Sequence, residues 1–171
     1  MAKIIITAVT HKPDNLLSIF SDKIINGVEN LGWTHVYPKL VIDERIVCWN
    51  ILGFFRSWEK KNQLNIDNNY IKIKEWIFYI SNQDALKLEN YWDGLIGRGY
   101  GVGKILFLLL YRLTGWKWIA KLTGIICSGA IAQGLKYINF IEDNNPEIFG
   151  LKELKKCLDS KISLEKNDDH I

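Results

Sequence analysis

Alternating apolar and polar residues between Trp33 and Leu52 constrain the fold of this chain more than any other feature. The pattern runs from Trp33 toward Val41, breaks at residues 42–44, and resumes from Arg45 to Leu52. A period of two is typical of strands that bury one face, and a connection this short joins antiparallel neighbours. The sequence therefore predicts two paired antiparallel strands in this region.

Two further segments predict strands. Ile4 to Val9 is a β-branched run typical of a buried strand, and Tyr70 to Ile80 begins with clear alternation. The second of these is expected to be a third strand of the hairpin's sheet. Between them, Lys60 to Asn69 is polar and rich in Asn, which favours a loop or a weak helix end.

Helical spacing of apolar residues predicts amphipathic helices over residues 16–31 and 148–158. Ser81 is a plausible N-cap, and Asp84 three residues later fits a variant of the capping box. The helix that follows is expected to run to about Trp92. The chain is thus predicted to combine one antiparallel sheet with several helices.

The composition bounds the class of protein. With 171 residues, 48% of them hydrophobic and only three prolines, the chain is expected to be one globular domain over residues 1–171, with a polar tail at 160–171. Its net charge is +3, and lysines and arginines are scattered among acids. This pattern argues against a nucleic-acid partner.

No segment has the length of a membrane span or a secretory signal. The apolar run at the N-terminus is short, and residues 105–111 are closed off by Lys104 and Arg112, whereas a span needs about 20 apolar residues. A cytoplasmic location is therefore expected. Residues 105–122 form either an ordinary buried helix or an aromatic, basic segment in peripheral contact with a membrane surface.

The three cysteines, Cys48, Cys127 and Cys157, lie at wide and irregular spacing. This spacing predicts neither a disulfide framework nor a zinc site, and no metal or organic cofactor is implied. The glycine-rich segment 97–104 is expected to be a loop rather than a phosphate-binding motif, since Ile105 stands where a Mg²⁺-binding hydroxyl is required.

Cys127 has the sequence context of a nucleophile. The run at residues 124–126 is apolar and leads to Cys127, after which small residues predict a helix that begins at this cysteine. The N–H groups and dipole of a helix start favour negative charge, and so favour thiolate over thiol. The other interpretation is a buried structural cysteine, since free cysteines are among the most buried residues.

His35 is predicted near the start of the first hairpin strand. A lone histidine in this position is usually structural. If the fold brought His35 to Cys127, the two would form the thiolate–imidazolium pair of cysteine hydrolases.

Four segments together resemble a known family: 33–36 (Trp-Thr-His-Val), 45–50 (Arg-Ile-Val-Cys-Trp-Asn), 91–97 (Tyr-Trp-Asp-Gly-Leu-Ile-Gly) and 126–132 (Ile-Cys-Ser-Gly-Ala-Ile-Ala). They occur in the order seen in the circularly permuted NlpC-like branch of the papain-fold thiol hydrolases, in which the histidine precedes the cysteine. The resemblance covers most of residues 14–150.

The resemblance implies an α+β, papain-like, circularly permuted fold with an antiparallel sheet of about four to six strands, against which the Cys127 helix packs. It also implies that Cys127 is the nucleophile and His35 the general base. Where the family often has Glu as the third residue, this chain has Cys48, and Asn50 on the same strand face could orient His35 instead. Ser128 is expected to be a helix cap or a catalytic residue.

The activity implied is cleavage of an amide bond, in a peptide or a peptidoglycan stem, through an acyl-enzyme on Cys127. Two alternatives stay open. One is an acyl-lipid thioesterase or acyltransferase at a membrane surface, and the other is a non-catalytic binding or structural module. The family's Tyr-Asp pair is interrupted here, since Trp92 separates Tyr91 from Asp93, and neither residue is assigned a role.

Overall fold

Five strands and three helices make up the part of the chain that the computed structural model describes, which is residues 1–12, 23, 25, 30–51, 58–61, 70–98, 114, 126–142 and 149–168. In chain order the elements are β1 (Ala2–His11), β2 (His35–Ile42), β3 (Arg45–Ile51), β4 (Trp58–Lys61), β5 (Tyr70–Ile80), α1 (Asn82–Asp93), α2 (Cys127–Tyr137) and α3 (Leu151–Asp168).

The strands form one antiparallel sheet in the order β4-β3-β2-β1-β5. The expected α+β class and antiparallel sheet are confirmed for the described residues. Strand β4 was not predicted, because Lys60 and Lys61 belong to the polar stretch that favoured a loop. It is held by Trp58, which is fully buried and donates a hydrogen bond from Nε1 to the Trp92 carbonyl at 3.1 Å.

The predicted hairpin is confirmed as β2 and β3. The two strands pair antiparallel, with Ile42 opposite Arg45, and Asp43 and Glu44 form the connection. Both turn residues have positive φ, 46° and 70°. That is the backbone of a type I′ turn, whose twist matches the twist of paired strands.

The sheet has two chemically different faces, because successive side chains on a strand point to opposite sides. One face packs on the helices in a single apolar cluster, and we call it the helix face. Its buried residues include Ile4, Ile6, Val36, Leu40, Val47, Trp49, Trp76 and Phe78. The other is here called the polar face, and its buried residues include Thr7, His35, Tyr37, Lys39, Cys48 and Asn50.

Helix α1 begins where the capping pattern predicts. Ser81 Oγ accepts a hydrogen bond from the Asp84 backbone N–H at 3.0 Å. Ion pairs then fix the helix to the sheet, since Glu89 accepts from both Arg45 guanidinium nitrogens at 2.7 Å and from Lys60 at 3.1 Å. The bond from Arg45 lowers the pKa of Glu89, although burial opposes the shift.

Helix α3 is longer than predicted. It runs to Asp168, into residues 160–171 that were expected to form a polar tail. Leu154 and Leu158 are fully buried, and Lys155 pairs with Asp159 one turn later at 2.6 Å. Apolar burial on one side and ion pairs of this spacing on the other both stabilise a helix.

Most of the predicted helix at 16–31 and of the segment 105–122 lies outside the described residues, although residues 23, 25 and 114 are helical. The loop predicted at 97–104 is described only at residues 97 and 98. In the described part of the chain, every helix is too short or too polar to cross a bilayer.

Candidate active site

Cys127 is the first residue of α2, as the sequence predicts. Ile126 before it is extended, with φ −107° and ψ 156°, and no side chain caps the helix. The start of α2 therefore directs backbone N–H groups and the positive end of the helix dipole toward Cys127. The side chain belongs to the apolar cluster, and the residue is only 3% exposed.

Small residues allow α2 to lie close to α1 and to β2. A Cβ atom at Gly134 would lie 2.6 Å from Nε1 of Trp92, a separation that real Cβ atoms do not show. Trp92 also donates a hydrogen bond from Nε1 to the Ala130 carbonyl at 3.3 Å. The absence of a side chain at Gly134 is thus required by the packing of α2 against Trp92.

Ser128 is not a helix cap. Its Oγ donates a hydrogen bond to the Phe149 carbonyl at 2.7 Å, and the residue is buried. The sequence left open a capping or a catalytic role, and a local helix-start pattern cannot reveal a partner 21 residues away. The contact ties the first turn of α2 to the residues that precede α3.

His35 and Asn50 form a direct hydrogen bond. His35 begins β2, Asn50 lies on β3, and His35 Nε2 is 2.5 Å from Asn50 Oδ1. Both residues are buried, His35 being 5% exposed and Asn50 fully enclosed. Because an amide oxygen only accepts, Nε2 carries the hydrogen in this bond.

Cys48, the other candidate for the residue that orients His35, lies two positions before Asn50 on the same face of β3. It is fully buried in a small cluster with Val9, Tyr37 and Tyr70 on the polar face. The amide of Asn50 is the better partner for an imidazole N–H, since a thiol is a weak acceptor. The expectation that Asn50 orients His35 through its amide oxygen agrees with the observed bond.

Tyr70 also belongs to this site, and sequence reasoning treated it only as the start of a strand. Its ring stacks on His35 with centroids 5.6 Å apart and an interplanar angle of 19°. Its hydroxyl oxygen accepts a hydrogen bond from Asn50 Nδ2 at 3.4 Å. A tyrosine at the first position of an alternating run was the only signal, and alternation does not identify neighbours on other strands.

Tyr91 and Asp93 have structural partners. Asp93 accepts hydrogen bonds from Trp49 Nε1 at 2.7 Å and from Lys60 at 2.8 Å, which attach the end of α1 to β3 and β4. The Tyr91 hydroxyl donates to Gln133 at 2.8 Å, and burial raises the pKa of Tyr91. These contacts explain both side chains without a role in chemistry.

Among the described residues, no group of three or more His, Cys, Asp or Glu side chains is arranged to hold a metal ion. All three cysteines are outside disulfides. No protein-family model matches this chain, and no curated protein matches its sequence significantly. The geometry of the side chains therefore carries the functional argument.

Proposed function

We propose that this protein is a cysteine hydrolase that cleaves an amide bond, in a peptide or a peptidoglycan-type stem, with Cys127 as nucleophile and His35 as general base. The observation that carries the proposal is the buried hydrogen bond between His35 Nε2 and Asn50 Oδ1. A base that must accept a proton at one ring nitrogen needs its other nitrogen held by an acceptor, and Asn50 provides this.

The order of the elements supports a papain-like, circularly permuted fold. The base and its orienting residue lie on β2 and β3, and the candidate nucleophile begins a helix later in the chain. Helix α2 packs against β2, the strand that His35 begins. This is the order of the family that the sequence motifs resemble, and the fold assignment rests on that order together with the antiparallel sheet.

The proposed reaction has two stages. In the first, the Cys127 thiol proton passes to Nδ1 of His35, and the thiolate attacks the amide carbonyl carbon. The C–N bond breaks, the amine leaves with the proton from His35, and the acyl group stays on sulfur as a thioester. In the second, His35 takes a proton from water, the hydroxide attacks the thioester, and the thiol is restored as the acid leaves.

The start of α2 supplies the electrostatic part of this mechanism. Backbone N–H groups of the first turn can donate to the carbonyl oxygen as it gains negative charge. One such donor is worth about 3 kcal/mol in a transition state, so the position of the Cys127 turn matters as much as the side chain itself.

Burial places a condition on this proposal. Cys127 and His35 are 3% and 5% exposed, so a substrate reaches the sulfur only after the residues over it move aside. His35 is the first residue of β2 and its ring lies with the polar face, whereas Cys127 belongs to the cluster on the helix face. The proposal therefore requires that the thiol and the imidazole meet at the end of β2.

The decisive experiment measures iodoacetamide alkylation of each cysteine against pH by mass spectrometry. We expect Cys127 to react well below pH 8. Its alkylation should slow by about tenfold or more in His35→Ala, since an adjacent base is what activates a thiol. Cys157 on α3 is the internal control, because it is a half-buried thiol outside the site. If Cys127 is alkylated at the same rate as Cys157, or at the same rate in His35→Ala as in the wild type, the protein is a non-catalytic module.

A membrane-surface acyltransferase or thioesterase would use the same cysteine chemistry on an acyl lipid. The sequence feature that favours it is the Trp- and Leu-rich segment 105–122. Activity on acyl lipids, together with liposome flotation that is lost in the Trp116→Ala, Trp118→Ala double variant, would show that the substrate is an acyl lipid rather than an amide. Amide cleavage without liposome binding would keep the main proposal.

A further inference from the structure

Tyr70 reaches across the sheet to the His35–Asn50 pair. It is the first residue of β5, which β1 and β2 separate from the Asn50 strand β3. Neighbouring strands lie about 4.8 Å apart, so a flat sheet would hold Tyr70 and Asn50 on strands about 14 Å apart. The observed 3.4 Å hydrogen bond therefore joins side chains that extend toward each other across β1 and β2.

A bulge in β5, with Ile73 as the extra residue, lies close to Tyr70. The pairing of β1 with β5 shifts register between Ala8 and Val9, so that Ala8 lies opposite Lys74 and Val9 opposite Lys72. A β-bulge bends its strand and increases the local twist. The bulge lies next to His35, since Val9 pairs with His35 on the other side of β1. The extra residue shifts the alternation of β5, so that Tyr70 lies on the polar face.

The two ends of the Asn50 amide contact Tyr70 and His35 separately. An amide has one accepting and one donating end, and Nδ2 is engaged by the Tyr70 hydroxyl oxygen. Its accepting end, Oδ1, faces His35 Nε2. The stacked ring of Tyr70 at the same time restricts rotation of the imidazole.

We propose that Tyr70 is a positioning residue, which holds Asn50 and His35 so that Nε2 carries the hydrogen and Nδ1 is the nitrogen that receives the Cys127 proton. The proton-transfer part rests on the proposed function, whereas the control of the tautomer does not. In this role Tyr70 acts through Asn50 and His35.

The first test reads the tautomer of His35 by two-bond ¹⁵N–¹H correlation NMR, at a pH where the ring is neutral. The wild type is expected to show the Nε2–H form, and Tyr70→Phe, which removes the hydroxyl and keeps the ring, is expected to gain the Nδ1–H form. Tyr79→Phe is the matched control, because Tyr79 lies on the same strand and is 64% exposed. It should leave the spectrum unchanged.

The second test is a rescue. An aspartate at position 50 has two accepting oxygens and no donor, so it holds Nε2–H whichever way it turns. The Tyr70→Phe, Asn50→Asp double variant should therefore return His35 to the Nε2–H form. In Tyr70→Phe alone, alkylation of Cys127 should slow by about threefold to tenfold, the range given by one hydrogen bond of ordinary net strength.

The outcomes separate this inference from the proposed function. An Nδ1–H tautomer in the wild type, or a Tyr70→Phe spectrum identical to that of Tyr79→Phe, would overturn the role of Tyr70 even if Cys127 depends on His35. If alkylation of Cys127 is unchanged in His35→Ala, the proposed hydrolase function is wrong. The tautomer experiment would still decide whether Tyr70 positions His35 and Asn50.

Discussion

The two faces of the sheet bury side chains for different reasons. The helix face is filled by tryptophans and aliphatic residues that contact α1, α2 and α3 in one cluster. The polar face buries Thr7, His35, Lys39 and Asn50, and the hydrogen bonds and ion pairs of that face offset the desolvation of these groups.

This difference shows where stability is concentrated. Burying apolar groups contributes stability directly, whereas buried polar groups cost free energy unless each finds a partner. On the polar face, Lys39 lies 3.7 Å from Glu75, and Glu75 also accepts from Thr7 at 3.1 Å. A polar layer of this kind adds little net stability.

The largest expected effect comes from the helix face. Trp92 is fully buried, packs on Trp49 with ring centroids 5.1 Å apart, and faces Gly134 on α2. Trp92→Ala should lower the free energy of unfolding by about 3–5 kcal/mol, because it leaves a cavity between α1, α2 and β3. Urea unfolding measures the loss.

Leu86→Ala on the same helix is the control for this prediction, since Leu86 is 54% exposed. It should change the free energy of unfolding by no more than about 0.5 kcal/mol. Equal losses of unfolding free energy in the two variants would show that apolar burial on the helix face is not the main source of stability.

A smaller effect on stability, with a larger effect on reactivity, is expected from the polar face. Asn50→Ala leaves the His35 Nε2–H without its acceptor, which should cost about 1–3 kcal/mol in the free energy of unfolding. Alkylation of Cys127 should slow as the imidazole loses its orientation. Asn50→Asp keeps an acceptor and should preserve more of the rate. If Asn50→Ala destabilises as much as Trp92→Ala and leaves alkylation unchanged, the polar face is structural.

The smallest expected effect lies at the edge of the helix face, where Asp159 on α3 meets β5. Burial raises the pKa of Asp159, but hydrogen bonds from Lys155, Lys74 and Trp76 outweigh it and hold the pKa at about 2. A carboxyl with a depressed pKa stabilises the fold above its unfolded-state pKa of 3.8, and the contribution is lost as pH falls through about 2.

Asp159→Asn should therefore lower the free energy of unfolding at pH 7 by less than about 1 kcal/mol, since the ion pairs are partly exposed and screened by solvent. The difference from the wild type should shrink between about pH 4 and pH 2. Urea unfolding of both proteins at several pH values measures this difference. A difference that stays constant down to pH 2 would show that the ion pairs of Asp159 do not hold α3 on β5.

Local patterns were sufficient for most of the described elements. Alternation predicted β2, β3 and β5, and the cysteine at a helix start was placed correctly because that signal involves only adjacent residues. Asn50 was selected because it shares a strand face with Cys48, and this needs only the period of two. Strand β4 was missed because Trp58 is its single fully buried residue, and one residue makes no pattern.

The sequence alone determined most of the described strands and helices and which side chains of a strand share a face, because both depend on periods of a few residues. Only the tertiary structure decided that β1 lies between β2 and β5, and that the bulge in β5 places Tyr70 on the polar face with Asn50 and His35. Strand order and twist come from the burial of the whole helix face, which involves contacts between residues far apart in the chain.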